Sequence, residues 1–269
     1  FFPFRLYFYN GFYTEQDSTF SSWMMENFGE PPISISDVNP QARVNYIENY
    51  LFNRGYFGVS GEYELKFKEN GQENKAWILY KFVMPEPYRY RKVEVSLDSA
   101  SQVLEPYMED YMEHSKIIPG RQFNLDEIAR EKQRIWEHFQ NEGFYHLRKN
   151  HILILADTTV GDLQVDLEYR FVADQPDHAY RKVYISDLQV SIDDSTPGAE
   201  DSISFVTGKG VRVKQKLMDH TIELSTDSIY SLENSRKSIR NISSLKIFSQ
   251  PDIRYTISSE DSSRASALV

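Results

Sequence analysis

Residues 140–146 read QNEGFYH, and residues 52–58 read FNRGYFG. In both stretches a helix-like segment runs into a glycine followed by aromatic residues, and the two glycines, Gly55 and Gly143, are 88 residues apart. Glycine adopts positive φ at little cost, which favours the left-handed conformation that ends many helices. The recurrence of this pattern predicts an internal repeat.

The segment before Gly143 has the strongest helical pattern in the sequence. Asn124 is a suitable N-cap, and Asp126 and Glu127 follow in the first turn, where the helix dipole favours acidic residues. We expect the aromatic residues after the glycine to close the core beneath this helix. Apolar residues at helical spacing predict one buried face, formed by Leu125, Ile128, Ile135, Trp136 and Phe139.

Two strands are predicted after each helix. In the middle of the chain these are HILILA at 151–156 and the alternating LQVDLEYRF at 163–171. The earlier pair is GEYELKF at 61–67 and KAWILYKFV at 75–83. A third, degenerate repeat lacks the glycine and has a helical pattern within 228–248, followed by PDIRYTI at 251–257.

Opening strands complete the repeat. The segments 88–98 and 179–193 both alternate, and Val93 and Val183 lie 90 residues apart. Since a lesser helix is predicted at 101–115, the order becomes strand–helix–helix–strand–strand. This order is typical of an α+β fold, with helices on one face of a small mixed sheet. The expected division is an N-terminal aromatic segment of the first unit at 1–29, a first repeat at 30–88 that is incomplete at its start, a middle repeat at 89–177, and a third repeat at 178–269 that is truncated at its end.

Composition limits the classes of function. The chain has 269 residues and a formal net charge of −10, which argues against a nucleic-acid partner because phosphate binding needs a basic face. It has no cysteine, so disulfides, thiolate catalysis and cysteine metal sites are excluded. Short proline-marked linkers precede the opening strands, and we expect an extended string of repeats with limited contact between neighbours.

The repeat resembles the POTRA (polypeptide-transport-associated) domains of the BamA/TamA family of outer-membrane proteins. The resemblance rests on the unit order, on NRGYF and NEGFYH, on the run from Gly120 to Ile128, and on the helix-terminal LKIF at 245–248. The opening FRLYFYNGFY and the later GEPP at 29–32 are similar to the start of TamA-like proteins of Bacteroidetes.

The resemblance implies a function in the cell envelope. It implies a module on the periplasmic face of the Gram-negative outer membrane, attached to a downstream membrane β-barrel. Its expected partners are unfolded or partly folded outer-membrane proteins and envelope accessory proteins. In the family, extended polypeptide adds to the edge strand after the main helix. The residues at the two matching positions are His151, Ile152, Leu153, Ile154 and Leu155 in the middle repeat and Glu62, Tyr63, Glu64 and Leu65 in the first.

Two other function classes are open at this point. An unrelated envelope-binding module built of α+β repeats would present a distinct ligand groove. For the proposed binding edge there is also a structural alternative, in which the four aliphatic residues at 152–155 are buried on both faces of the sheet. An enzyme would need paired groups in a cleft. The sequence predicts no catalytic, cofactor or metal site, because its histidines lack ligand spacing and the GKG at 208–210 lacks the flanking pattern of a phosphate loop. We expect the carboxylates Asp126 and Glu127 to favour the helix start, and His138 to face solvent.

Overall fold

The computed structural model describes residues 4–15, 19–33, 35–67, 76–172, 178–192, 205–207, 215–246, 248 and 250–269. The chain divides into two compact units, one of Phe1–Phe52 and Tyr56–Pro85, the other of Asn53–Gly55 and Glu86–Val269. The second unit therefore contains both the middle and the third repeat. The expectation of limited contact between neighbouring repeats is wrong for this pair.

In its described residues, the first compact unit contains three α-helices, a short 3-10 helix at Ile35–Asp37 and a two-stranded sheet. Its strands are antiparallel, with Tyr63 opposite Tyr80. The last helix packs on the sheet through Val44, which is fully buried. Gly61 makes this approach possible, since a Cβ there would lie 2.9 Å from Cγ1 of Val44. The elements are α1 (Phe4–Phe12), α2 (Phe20–Phe28), α3 (Pro40–Phe52), β1 (Ser60–Phe67) and β2 (Ala76–Val83).

The middle repeat has the predicted order strand, helix, helix, strand, strand. Its elements are β3 (Arg89–Ser96), α4 (Glu105–Glu113), α5 (Leu125–Asn141), β4 (Ile152–Asp157) and β5 (Gln164–Phe171). The sheet order is β3-β5-β4, with β3 parallel and β4 antiparallel to β5. The helices cover one face, and Phe139, Phe144, Tyr169 and Phe171 are buried in the core between the layers.

The third repeat has the same topology with one strand added. Its elements are β6 (Tyr184–Ile192), β7 (Phe205–Thr207), α6 (Gln215–Thr221), α7 (Leu232–Ser244), β8 (Arg254–Ile257) and β9 (Arg264–Leu268). The sheet order is β7-β6-β9-β8, in which β6 is parallel and β8 antiparallel to β9. The short strand β7 pairs in parallel with the outer edge of β6. The predicted α+β class is confirmed.

The main helix begins and ends as predicted. The Asn124 side chain accepts a hydrogen bond from the Glu127 amide at 3.2 Å, and Gly143 has φ +95°. Phe144 is fully buried and does close the core, but Tyr145 is half-buried and packs against the core of the third repeat instead. The prediction that Leu125 belongs to the buried face is wrong, since its side chain is 45% exposed. Leu125 is the first residue of α5, one turn before the buried residues Ile128 and Glu131.

Two polar residues of α5 are buried, which its pattern does not predict. Glu131 is fully buried and accepts hydrogen bonds from the Ser115 hydroxyl and the Arg134 guanidinium. Gln140 donates to the carbonyls of Phe144 at 2.7 Å and Leu147 at 2.9 Å. These bonds supply the partners that buried polar groups need, and Gln140 fixes the turn after the helix.

Candidate functional site

The strand β4 lies at one edge of the middle sheet, with β5 on its inner side. Val172 donates to the His151 carbonyl at 2.8 Å, which places the hydrogen-bonded pairs of this antiparallel ladder at 151, 153 and 155. The amides of Ile152, Ile154 and Ala156 therefore point away from β5. Ile152 donates to the Lys149 carbonyl in the preceding turn.

The next two outward amides on β4, those of Ile154 and Ala156, have no backbone partner among the residues that the structure describes. Unpaired main-chain groups of this kind are the template for pairing with another strand. The open edge of β4 therefore has two free amides that point outward. The carbonyls of the same two residues also point outward.

The four aliphatic side chains at 152–155 have different surroundings. Ile152 is fully buried, and Ile154 is half-buried against the same core. Leu153 and Leu155 point to the other face of the sheet, where their partners on β5 are Arg170 and Glu168. Leu155 is 41% exposed, so the strand is covered on its core face only.

His151 immediately precedes β4 and contributes a different chemistry. Its Nδ1 lies 3.3 Å from the Arg148 amide, and burial lowers the pKa of its imidazole. The neutral ring that results accepts this bond and holds the turn that leads into the strand.

The second predicted edge, at Glu62–Leu65, lies on β1 and belongs to the other compact unit. The Gly61 amide donates to Oε1 of Glu48 at 2.7 Å, so it points away from β2. By the alternation of the strand, the amides of Tyr63 and Leu65 also point outward. They too have no backbone partner among the described residues.

Charge accompanies the β1 edge. Lys81 of β2 lies 3.1 Å from a carboxylate oxygen of Glu64 and 3.9 Å from one of Glu62. The hydrogen bond from Lys81 holds the pKa of Glu64 below its ordinary value. Tyr63 and Leu65 are 38% and 41% exposed on the opposite face. Both predicted edges thus combine outward amides with partly exposed apolar side chains.

The other titratable side chains considered in the sequence make hydrogen bonds within the fold. Arg134, and then Arg130, lower the pKa of Glu127 through hydrogen bonds. His138 does not face solvent as expected, because it is half-buried and its Nε2 lies 3.0 Å from the Tyr107 carbonyl. Within the described ranges, no three metal-binding side chains come together, and no helix has both the length and the apolar character to cross a bilayer. The GKG at 208–210 lies outside the described residues.

The two repeated glycines have equivalent partners. The Gly143 carbonyl accepts the Val183 amide at 2.9 Å, and the Gly55 carbonyl accepts the Tyr88 amide at 2.9 Å. Gly55 and Gly143 have φ +87° and +95°. The carbonyl of each therefore accepts a hydrogen bond from the amide of the residue just before the next opening strand. The spacing in the sequence predicted that these glycines end a helix, but it did not predict their bonds to the start of the next repeat.

The junction of the middle and third repeats contains buried polar and aromatic side chains and a partly exposed ion pair. The Tyr230 hydroxyl donates to Oε1 of Gln140 at 3.2 Å. The ring of Tyr145 contacts those of Tyr230 and Tyr255, at centroid distances of 4.9 and 5.7 Å. Arg236 donates to Glu137 at 2.8 Å, and this bond lowers the pKa of the Glu137 carboxyl.

No family model and no curated protein matches the chain. Among solved structures it is similar to BamA POTRA domains 3–5 from Haemophilus influenzae, with 10% identity over 94% of this chain and 91% of that one and a TM-score of 0.44. It is similar to BamA from Haemophilus ducreyi lacking POTRA domains 1–3, with 9% identity, 67% and 28% coverage and a TM-score of 0.48. It is also similar to POTRA domains 1–2 of Omp85 from Anabaena, with 15% identity over 68% of this chain and 96% of that one and a TM-score of 0.39. Such low identity assigns no role to any residue.

Proposed function

We propose that this chain is a POTRA-type module, of the TamA-like kind found in Bacteroidetes, on the periplasmic face of a Gram-negative outer membrane. It holds extended segments of outer-membrane proteins during their assembly or translocation, together with envelope accessory proteins, and it catalyses no reaction. Support comes from the sequence motifs around Gly55 and Gly143 and from the strand–helix–helix–strand–strand unit they organise.

The proposed boundaries of the three repeats are 30–88, 89–177 and 178–269, with 1–29 as the N-terminal segment of the first. The equivalent bonds from Tyr88 to Gly55 and from Val183 to Gly143 support them, because each marks the passage from one repeat to the next opening strand.

The observation that carries the binding proposal is the open edge of β4. The amides of Ile154 and Ala156 point outward with no backbone partner in the described part of the chain, and Leu155 beside them is exposed. A strand added here forms main-chain hydrogen bonds that are independent of side-chain identity, so one edge serves many clients. The side chains of the added strand would alternate between the core face of the sheet and its exposed face.

Proline at position 154 tests this proposal directly. Ile154→Pro removes an outward amide and leaves the ladder bonds of Leu153 and Leu155 to β5 in place, as is usual for proline on an edge strand. The matched control is Ile154→Val, which keeps the amide and most of the side chain. Both variants carry a photo-crosslinking residue at the exposed Thr158 and are mixed with a porin diluted from urea.

We expect crosslinking to fall by about tenfold in Ile154→Pro, which corresponds to the net value of one or two hydrogen bonds, and to be retained in Ile154→Val. Yields are compared at equal folded fraction, measured by circular dichroism. Undiminished crosslinking in a folded Ile154→Pro chain would rule out strand addition at this edge.

A further inference from the structure

Two histidines that are distant in the sequence meet at the junction of the middle and third repeats. His146 follows the turn at the end of α5, and His178 lies in the segment that leads to β6. Their rings are in contact, with 4.8 Å between the centroids and an interplanar angle of 72°. Because only the fold brings the two residues together, the spacing of histidines along the chain did not indicate this pair.

The separation of the two rings is close to that of two imidazoles on one metal ion. Zn²⁺ binds a histidine nitrogen at about 2.0–2.1 Å in tetrahedral geometry, which places the centres of two bound rings about 5 Å apart. The observed distance is 4.8 Å. Since His178 is exposed, a rotation of its side chain is sufficient to point one nitrogen of each ring at a common ion.

A hydrogen bond fixes the orientation of the His146 ring. Its Nε2 lies 3.1 Å from the carbonyl of Ser262, in the loop between β8 and β9. Because a carbonyl oxygen can only accept, Nε2 carries the proton and Nδ1 keeps its lone pair. Histidines that bind metals almost always donate their other N–H to a carbonyl, a carboxylate or water, and this bond makes the ligand nitrogen more basic.

The remaining ring nitrogens are available to a ligand. Neither Nδ1 of His146 nor either nitrogen of His178 makes a hydrogen bond to another residue in the described part of the chain. Burial, and then the nearby His178 and Arg148, lower the pKa of the His146 imidazole, which keeps the ring in the neutral form that binds metals. Arg148 is itself exposed, so water weakens its repulsion of an added cation.

We propose that His146 and His178 bind a divalent transition-metal ion through one imidazole nitrogen each, with water in the remaining coordination positions. The ligand atom of His146 is Nδ1, while Nε2 keeps its bond to Ser262. Imidazole suits Zn²⁺ and Cu²⁺, whereas Mg²⁺ and Ca²⁺ prefer oxygen ligands. This inference goes beyond the proposed function, because it assigns a ligand to the junction of two repeats and concerns no sheet edge.

The ion would connect three parts of the second compact unit. His178 comes just before Ala179 and Tyr180, which are buried in the core of the middle repeat. An ion on His178 and His146 ties this segment to the turn after α5 and, through Ser262, to the third repeat. Binding is expected to stabilise the folded unit, because the unfolded chain does not hold the two rings together.

The probe is Zn²⁺ alone, titrated against the full chain without a histidine tag at a pH of about 7.5, where the imidazoles are neutral. The test variant is His178→Gln, which keeps a polar side chain at this exposed position. The matched control is His114→Gln, at the exposed end of α4. In competition with a fluorescent chelator, we expect at least about tenfold weaker binding in His178→Gln and less than about twofold change in His114→Gln.

Thermal melts provide a second measurement on the same variants. Saturating Zn²⁺ should raise the melting temperature of the natural chain and of His114→Gln, and should have little effect on His178→Gln. Cu²⁺ should displace Zn²⁺, while Mg²⁺ at about tenfold higher concentration should not. Equal Zn²⁺ affinity in His178→Gln and the natural chain would overturn the proposal.

Nitrogen NMR of the imidazoles tests the geometry of the site. Zn²⁺ is expected to shift the Nδ1 signal of His146 and one nitrogen signal of His178, while the Nε2–H of His146 is retained. Stabilisation by Mg²⁺ equal to that by Zn²⁺ would mean that carboxylates bind the ion. Zn²⁺-dependent dimers with one ion for two chains would mean that each copy supplies one imidazole. Either result overturns the proposal, and neither affects the proposed function of the β4 edge.

Discussion

A Cβ atom on Gly143 would lie 2.5 Å from Cγ1 of Ile229. Real Cβ atoms do not approach other atoms so closely, so this glycine is required twice, by its φ of +95° and by the close contact with the third repeat. The turn that ends the main helix of one repeat is therefore shaped by the repeat that follows it.

We predict that Gly143→Ala destabilises the second compact unit by about 2–4 kcal/mol, since backbone strain and overpacking against Ile229 both contribute. The matched control is Gly120→Ala. Gly120 has φ +86°, and a Cβ atom there would have no other atom within 4 Å among the described residues, so only the backbone contribution applies. That contribution is about 1–2 kcal/mol.

The measurement is chemical denaturation of both variants, together with Ile229→Ala and the Gly143→Ala/Ile229→Ala double variant. The smaller side chain at 229 should reduce the additional cost of Gly143→Ala by at least half. Equal losses for Gly143→Ala and Gly120→Ala would contradict the role assigned to Ile229.

Tyr230→Phe should cost about 1–3 kcal/mol, because Oε1 of the buried Gln140 loses the donor that it has in the third repeat. Tyr184→Phe is the control, since Tyr184 is 45% exposed in the same repeat, and its variant should stay within about 0.5 kcal/mol of the natural chain. Thermal melts monitored by near-ultraviolet circular dichroism measure both. A silent Tyr230→Phe would exclude this bond as a contributor to the junction.

The sequence was sufficient for most of the secondary structure of the middle repeat, because periodicity and capping are local signals. Asn124 and Gly143 mark the ends of the α5 region, and the alternation at 163–171 marks β5. Leu163 was assigned to the alternating face but has φ +56° and precedes the strand. Local spacing does not include this turn geometry.

The buried Glu131 and the strand β7 show where local patterns are insufficient. A glutamate in a helix is expected to be exposed to solvent. Glu131 is buried because its carboxylate bonds to Arg134 in the same helix and to Ser115, which lies outside the helix. The three residues of β7 are too few to produce a periodic signal.

The stability of the second compact unit should fall as the pH decreases from about 7.5 to about 5.5. Burial lowers the pKa of His146, whose Nε2 lies 3.1 Å from the Ser262 carbonyl and whose ring contacts His178, with Arg148 also nearby. Because the unfolded chain titrates near the ordinary value of about 6.5, it binds the proton first as the pH falls. The folded state is therefore increasingly disfavoured between that value and the lower folded pKa.

His146→Gln keeps a side-chain donor toward Ser262 and removes the titration, so its melting temperature should depend less on pH over this interval. The lowered pKa of His151 acts in the same direction, and the His146→Gln/His151→Gln double variant should show a flatter profile than either single variant. An unchanged slope in His146→Gln would show that its protonation is not linked to unfolding.

Arg134→Met should destabilise the chain by about 3–5 kcal/mol, because it leaves the fully buried carboxylate of Glu131 without its charged partner. Arg130→Met is the matched control on the same helix, since the Arg130 side chain is 59% exposed in its pair with Glu127, and its cost should be below about 1 kcal/mol. Adding Glu131→Gln to Arg134→Met removes the buried charge and keeps a group that bonds to Ser115. The double variant should recover at least a third of the loss, as measured by urea denaturation at neutral pH. A double variant no more stable than Arg134→Met would mean that the loss comes from the packing of the Arg134 side chain and not from the unpaired charge of Glu131.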